Sequence, residues 1–157
     1  MLLFSQEGVY LIMSELSEKN TKELFDEIRN APEKFAERLN TEKLNTNRIM
    51  LSDYIRQKMT EKGITTKDLI IKTALSQSHI YQILGGTRTP GRDILINIAL
   101  ALSLTLEKTQ RLLLIGRAGE LYPRVRRDAA LICCIEQRLG LIETSDFLQS
   151  ISEHELI

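Results

Sequence analysis

Apolar residues recur every three or four positions along most of this chain, which is the spacing that places them on one face of an α-helix. Residues that begin or end helices separate these apolar stretches, among them Gly63, Ser76 and Gly140. We therefore predict an all-α protein. The helices predicted between residues 48 and 139 span 48–62, 66–73, 77–84, 92–102, 106–117 and 124–139.

The two ends of the chain also have helical patterns. Residues 14–46 contain two short apolar stripes, with Pro32 placed to occupy the first turn of a second acidic helix. A polar linker is predicted at 40–47, and a last amphipathic helix after Gly140 would form a hairpin with the helix before it. We divide the chain into an N-terminal helical segment, a central domain and a C-terminal extension. Their ranges are 1–46, 47–117 and 118–157.

The net charge of zero conceals an uneven distribution along the chain. Residues 47–127 carry fourteen basic and six acidic side chains, a net charge of +8. Residues 1–46 carry six basic and nine acidic side chains, a net charge of −3. Residues 128–157 carry one basic and six acidic side chains, a net charge of −5. A basic centre between acidic ends predicts that the central part binds a polyanion. Chance clustering of solvated side chains is the alternative interpretation.

Composition excludes several function classes. No apolar run approaches the length of about 20 residues that spans a bilayer, so we expect no membrane segment. The apolar opening 1–12 has no basic leader and no cleavage site, which argues against a signal peptide and leaves Met1 or Met13 as the true start. Two adjacent cysteines, Cys133 and Cys134, form no disulfide framework, and we expect a reducing cytoplasm and buried thiols.

Candidate catalytic and metal-binding groups are scarce. The chain has only two histidines, His79 and His154, without the spacing of metal ligands, and His79 is expected to face solvent. No nucleophile motif and no phosphate-binding glycine loop is present. We expect no metal, no cofactor and no enzymatic activity.

The segment 65–84 is the strongest candidate for function. Two short helices joined by a tight turn form a helix-turn-helix when apolar residues at fixed offsets lock them together. The side chains predicted to point inward are Leu69, Ile70, Thr73, Leu75, Ile80 and Ile83. The outward side chains of the second of these helices are Gln77, Ser78, Tyr81 and Gln82. Glutamine can bond adenine bidentately in the major groove, and a helix N-terminus favours phosphate.

At these residues the chain resembles a known family. The segment 51–106 resembles phage-repressor and Cro-like (XRE-type) helix-turn-helix regulators of bacteria. The matching run, which begins at Ile64, is ITTKDLIIKTALSQSHIYQILGGTRTPGRDILINIALALSLTLE. The resemblance implies a five-helix DNA-binding domain over 47–117. It places Gln77, Ser78 and Gln82 at base edges, and Thr66, Thr87 and Arg88 at the DNA backbone.

Further candidates come from position alone. Lys67, Arg88 and Arg92 flank the two docking helices, which favours contacts with phosphate. Tyr81 could contact a thymine methyl or a sugar, or pack beside Leu84. A second basic cluster is either another phosphate-binding patch or a solvated helix start paired with Asp128. It consists of Arg124, Arg126 and Arg127.

Some positions depart from the family pattern. Thr66 stands where the family usually has a glutamine at the start of the second helix, and Ile70 stands where it has a small residue within that helix. Ala74 replaces the glycine of the turn, and Leu84 replaces the glutamate that is common before the closing glycines. Ile71 is expected to be exposed, which indicates either a protein contact or an error in the register assigned to this helix. The C-terminal part looks like a helical extension found in a subgroup of such proteins.

Two functions follow as predictions. The first is a sequence-specific transcriptional regulator that contacts the bases of the major groove with helix 77–84. The second is a protein-interaction adaptor that has kept the helix-turn-helix scaffold without specific DNA binding. The predicted partners are double-stranded DNA, a second copy of the chain in a homodimer, or another protein bound through the N- or C-terminal helices.

Overall fold

The structure, a computed structural model, describes residues 21–41 and 50–156. These residues form α-helices and connections, with no strand among them, which confirms the predicted all-α class. The chain divides into two compact units, Met1–Arg48 and Ile49–Ile157. The helices are α1 (Thr21–Asn30), α2 (Pro32–Thr41), α3 (Leu51–Lys62), α4 (Thr66–Thr73), α5 (Gln77–Leu84), α6 (Arg92–Ala101), α7 (Leu106–Ile115), α8 (Arg126–Glu136) and α9 (Leu141–Ser150).

The described part of the first unit is a pair of short helices. Pro32 is the first residue of α2, where its missing N–H is not needed for a helical hydrogen bond. Both helices have an acidic residue in the first turn and a basic one in the last turn, which suits the helix dipole. Arg38 of α2 pairs with Glu27 of α1. The opening 1–12 and most of the predicted linker 40–47 lie outside the described residues.

Helix α3 ends at a glycine, as its sequence predicts. Gly63 adopts a left-handed conformation with φ 64°, and its N–H donates to the carbonyl oxygens of Met59 and Thr60. Tyr54, Ile55 and Met59 are buried on the inner side of the helix. The predicted start at 48 lies outside the described residues, and the described helix begins at Leu51.

Helices α4 and α5 have the bounds that their caps predict. The Thr65 side chain accepts from the N–H of Asp68, while the Asp68 carboxylate accepts from the N–H of Thr65, which is a complete capping box. Ser76 caps α5 by accepting from the N–H of His79. Between the helices Ala74 has a left-handed φ of 54°, the conformation that favours glycine at this turn.

Helix α6 is the centre of the core of the second unit. Its residues from Leu95 to Ala101 are all buried, which explains the nearly continuous apolar sequence of this segment. Packing is tight where α7 ends, because a Cβ atom added at Gly116 would lie 2.5 Å from the Leu95 Cδ1 atom. A larger residue at 116 would therefore have to displace the side chain of Leu95, which is completely buried.

The last two helices pack onto the same core. Helix α8 contacts α7 and α9, and α9 also contacts α6. Leu131, Ile135 and Leu148 are buried there, and so is Cys134. Cys133 is exposed, so the prediction that both thiols are buried is wrong for Cys133, which lies on the outer side of α8. Among the described residues, no helix combines the length and the apolar character needed to cross a membrane.

Candidate nucleic-acid interface

The outer face of α5 carries the polar side chains that the sequence singles out. Gln77, Ser78, Tyr81 and Gln82 are all exposed. Their spacing of one, four and five positions puts them on one side of an α-helix. On the opposite side Ile80 is 0% exposed and anchors the helix in the core. The arrangement leaves four hydrogen-bonding side chains available to a ligand in solution.

Both ends of α5 are fixed by hydrogen bonds from other residues. At the N-terminal end the Ser76 Oγ accepts from the N–H of His79 at 3.2 Å. At the C-terminal end the Arg56 Nε donates to the carbonyl oxygen of Leu84 at 3.0 Å. Arg56 belongs to α3, so this bond holds the first helix of the unit against α5. Sequence reasoning missed Arg56, since nothing local to residue 56 indicates a partner 28 residues away.

His79 differs from the solvent-facing residue that we expected. Its side chain is half-buried, and its Nε2 atom is buried without a hydrogen-bond partner among the described residues. Burial lowers the pKa of His79 below its ordinary value of 6.5, and the charge of Arg88 lowers it further. The imidazole is therefore neutral at pH 7, and the positive charge beside α5 comes from arginine and lysine.

The loop after α5 brings three predicted residues together. The Thr87 Oγ1 donates to the carbonyl oxygen of Gln82 at 3.2 Å, and the Thr87 N–H donates to the same oxygen at 3.0 Å. The Arg88 Nη1 lies 3.5 Å from the Gln82 Oε1. Thr87 and Arg88 are exposed. Gln82 thus stands at the junction between the polar face of α5 and a basic loop.

Two further residues that are predicted to contact the DNA backbone, Thr66 and Lys67, lie at the start of α4. Thr66 is half-buried and Lys67 is exposed, both in the first turn. The capping box at Thr65 fixes this turn, and it lowers the pKa of the Asp68 carboxyl because the Thr65 side chain and N–H hydrogen-bond to it. Further along the same helix, Ile71 is 68% exposed, as the sequence predicts.

Arg92 has a different environment from the one that we predicted. Its Nη1 and Nη2 donate to the two carboxylate oxygens of Asp128 at 2.9 and 2.8 Å. Its Nε and Nη2 also donate to the carbonyl oxygens of Gly119 and Glu120. Four of the five N–H donors of the Arg92 guanidinium are thus used by hydrogen bonds within the protein. In this arrangement Arg92 holds α6 to α8, and we omit it from the residues proposed to contact phosphate.

The second basic cluster is also arranged differently. Arg127 pairs with Asp93, its Nη1 and Nη2 lying 2.9 and 3.0 Å from the carboxylate oxygens, and not with Asp128 as expected. Each of the sequence-adjacent arginine and aspartate residues at 92–93 of α6 therefore pairs with the oppositely charged residue at 127–128 of α8. Arg124 remains exposed in the loop before α8.

A buried asparagine of α6 holds the C-terminal end of α4 in place. The Asn97 Nδ2 donates to the carbonyl oxygen of Thr73 at 2.8 Å, and both residues are completely buried. The carbonyl oxygen of Thr73 belongs to the last turn of α4, where backbone carbonyls lack partners within the helix, and the Asn97 side chain supplies its hydrogen bond. Sequence reasoning did not single out Asn97, although one amide in the apolar run RDILINIALA is a visible signal of such a bond.

The chemistry available at this surface is hydrogen bonding and charge. Within residues 21–41 and 50–156, no three side chains of histidine, cysteine, aspartate or glutamate are grouped so as to hold a metal ion. No protein-family model, curated protein or solved structure matches the chain.

Proposed function

We propose that the chain is a cytoplasmic, sequence-specific DNA-binding regulator in which α3–α7 form a five-helix helix-turn-helix domain. The observation that carries the proposal is the exposed polar face of α5, held over the completely buried Ile80. A helix that presents amide side chains near its N-terminal end suits the major groove, where each base pair offers a distinct set of donors and acceptors.

The base contacts are assigned to the two amides of this face. Gln77 and Gln82 can each bond the N6 and N7 atoms of an adenine, and Ser78 and Tyr81 lie beside them to contact neighbouring base edges or a thymine methyl. The Arg88 Nη1 lies 3.5 Å from the Gln82 Oε1, so the amide assigned to a base and the guanidinium assigned to a phosphate are neighbours on the surface.

The phosphate contacts are assigned to both sides of α5. Thr66 and Lys67 lie at the start of α4, and Thr87 and Arg88 lie in the loop after α5. Such contacts fix the position of a protein on the duplex and carry no base preference of their own. The excess of basic side chains between residues 47 and 127 supports this assignment, because the field of the whole segment attracts a polyanion.

Selection of bound duplexes from a random pool tests this function. We expect the full chain to enrich one consensus, and a palindromic one if it binds as a homodimer. In the Gln82→Ala variant, preference at one base position should fall by about 1–3 kcal/mol, or roughly five- to 150-fold, with the other positions unchanged. Gln149→Ala, which truncates an exposed glutamine of α9, is the matched control. Absence of any enrichment would refute the proposal.

A protein-interaction adaptor is the second candidate, favoured by one observation. Ile71 is 68% exposed and Ile142 is 73% exposed, and both line a groove of about 290 Å³ between α4 and the start of α9. Exposed apolar side chains at a groove suit a protein partner. Salt dependence separates the two candidates: DNA binding should weaken with a log–log slope of about −0.9 per neutralised phosphate, whereas an apolar contact should respond little.

A further inference from the structure

The loop between α7 and α8 exposes large side chains although its backbone is firmly held. The N–H of Leu121 donates to the Gln110 Oε1 at 2.7 Å, and the Gln110 Nε2 donates to the carbonyl oxygen of Leu121 at 2.8 Å. The N–H of Tyr122 donates to the Asp128 carboxylate at 2.9 Å. Yet the Tyr122 side chain is 56% exposed and Arg124 is exposed. Side chains on a fixed backbone lose less freedom when they bind a ligand.

Arg92 places this loop beside the proposed DNA face. Arg92 is the first residue of α6 and follows Arg88 by four positions. Its Nη2 reaches the carbonyl oxygen of Glu120 at 3.0 Å. It also shares one Asp128 oxygen with the N–H of Tyr122, at 2.8 and 2.9 Å. The loop 119–125 therefore adjoins the end of the loop that carries Thr87 and Arg88.

The charge of Arg124 is available to a ligand. Arg124 makes no hydrogen bond or ion pair with the other residues that the structure describes. The neighbouring arginines are engaged, Arg126 by Glu153 at 4.0 Å and Arg127 by Asp93. A planar guanidinium with free donors suits a phosphate, and an exposed tyrosine beside it can pack against a sugar.

We infer that the loop 119–125 is a second DNA-contacting surface, in which Arg124 binds a backbone phosphate flanking the bases that α5 contacts. The inference rests on the proposed function and extends the DNA footprint beyond α3–α7. It gives the C-terminal helices a role, since the pairing of Arg92 with Asp128 holds α8 and the preceding loop in place. A phosphate contact made by this loop adds affinity on every sequence and leaves the base preference unchanged.

Salt titrations of the full chain on a duplex of the selected sequence test the inference. The variant is Arg124→Gln, and the control is Arg138→Gln, which removes the same charge from an exposed arginine two residues after the end of α8. Arg138 also donates to the carbonyl oxygen of Ser103 at 2.8 Å, so thermal unfolding of both variants checks that each is folded at the temperature of the titration. We expect Arg124→Gln to make the log–log salt slope less negative by about 0.9, the value for one phosphate, and to weaken binding equally on selected and scrambled duplexes. The control should keep the wild-type slope.

The outcomes separate the inference from the proposed function. If wild type binds the selected duplex and Arg124→Gln keeps the same affinity and slope, the loop makes no phosphate contact and the inference is wrong, while the proposed function stands. An equal change in slope for Arg138→Gln would show a general charge effect and would also overturn it. If the wild-type chain has no preference for any duplex, both proposals fail.

Discussion

Replacement of Arg92 with alanine should lower the free energy of unfolding by about 2–3 kcal/mol, because the Asp128 carboxylate loses both bonds to the guanidinium and keeps only the one from the Tyr122 N–H. Asp128 is 5% exposed, and Arg92 supplies two of its hydrogen bonds. The variant would also free the carbonyl oxygens of Gly119 and Glu120. Urea unfolding of wild type and variant measures the difference.

Arg126→Ala is the control for this prediction. Arg126 is next to Arg127 in the sequence but is exposed: its Nε lies 4.0 Å from a Glu153 carboxylate oxygen, and its Nη2 donates to the carbonyl oxygen of Ile151 at 3.2 Å. Because these are surface contacts, its loss should cost no more than about 1 kcal/mol. Equal losses in the two variants would show that the Arg92–Asp128 pair contributes no more than a surface contact.

The same pair makes stability depend on pH. Burial raises the pKa of Asp128, but the hydrogen bonds from Arg92 and from the Tyr122 N–H, with the charges of Arg92 and Arg127, outweigh it and leave the pKa below 3.8. A lowered folded-state pKa gives stability that is present above the unfolded value and is lost as pH falls through the folded value. Arg92→Ala should therefore lose less stability on acidification than wild type.

Ile80→Ala should lower the free energy of unfolding by about 2–5 kcal/mol, because it removes a completely buried side chain and leaves a cavity under α5. The same change at Ile71, which is 68% exposed, should cost less than about 0.5 kcal/mol. The two variants remove the same atoms and differ in burial alone. Thermal or urea unfolding measures both, and similar costs would contradict the assignment of Ile80 to the anchor of α5.

The parts of the fold that the sequence predicts best are those fixed by neighbouring residues. The predicted bounds of α4 and α5 are correct, because the side chains of Thr65 and Ser76 cap the helices that directly follow them. The exposure of Gln77 and Gln82 also follows from helical spacing once Ile80 is placed inward. The neighbouring residues are therefore enough to predict these two helix boundaries and the exposed face of α5.

Helix ends without such caps are predicted less well. Helix α8 spans Arg126–Glu136, whereas the apolar pattern predicts 124–139. Apolar spacing continues past its end, but the backbone turns at Arg138, which has a left-handed φ of 59°. Periodicity identifies which residues face the core and does not fix where the helical hydrogen bonds stop.

Pairings between distant residues could not be predicted from the sequence. Arg92 and Asp128 lie 36 positions apart and Arg127 and Asp93 lie 34 apart, so the packing of α8 on α6 decides the partners. From the sequence alone, a pairing between the adjacent Arg127 and Asp128 is favoured. In the fold, each of them pairs instead with a residue of α6, Arg127 with Asp93 and Asp128 with Arg92. The role of Arg92 changes for this reason, from an expected phosphate contact to an internal one.

We propose that the amides of α5 distinguish between DNA sequences. The direct measurement is the ratio of affinities for the selected duplex and a scrambled one, in wild type and in the double variant Gln77→Ala, Gln82→Ala. We expect this ratio to fall toward one in the variant while the affinity for the scrambled duplex stays the same, since the phosphate contacts are intact. An unchanged ratio in a folded variant would contradict the claim.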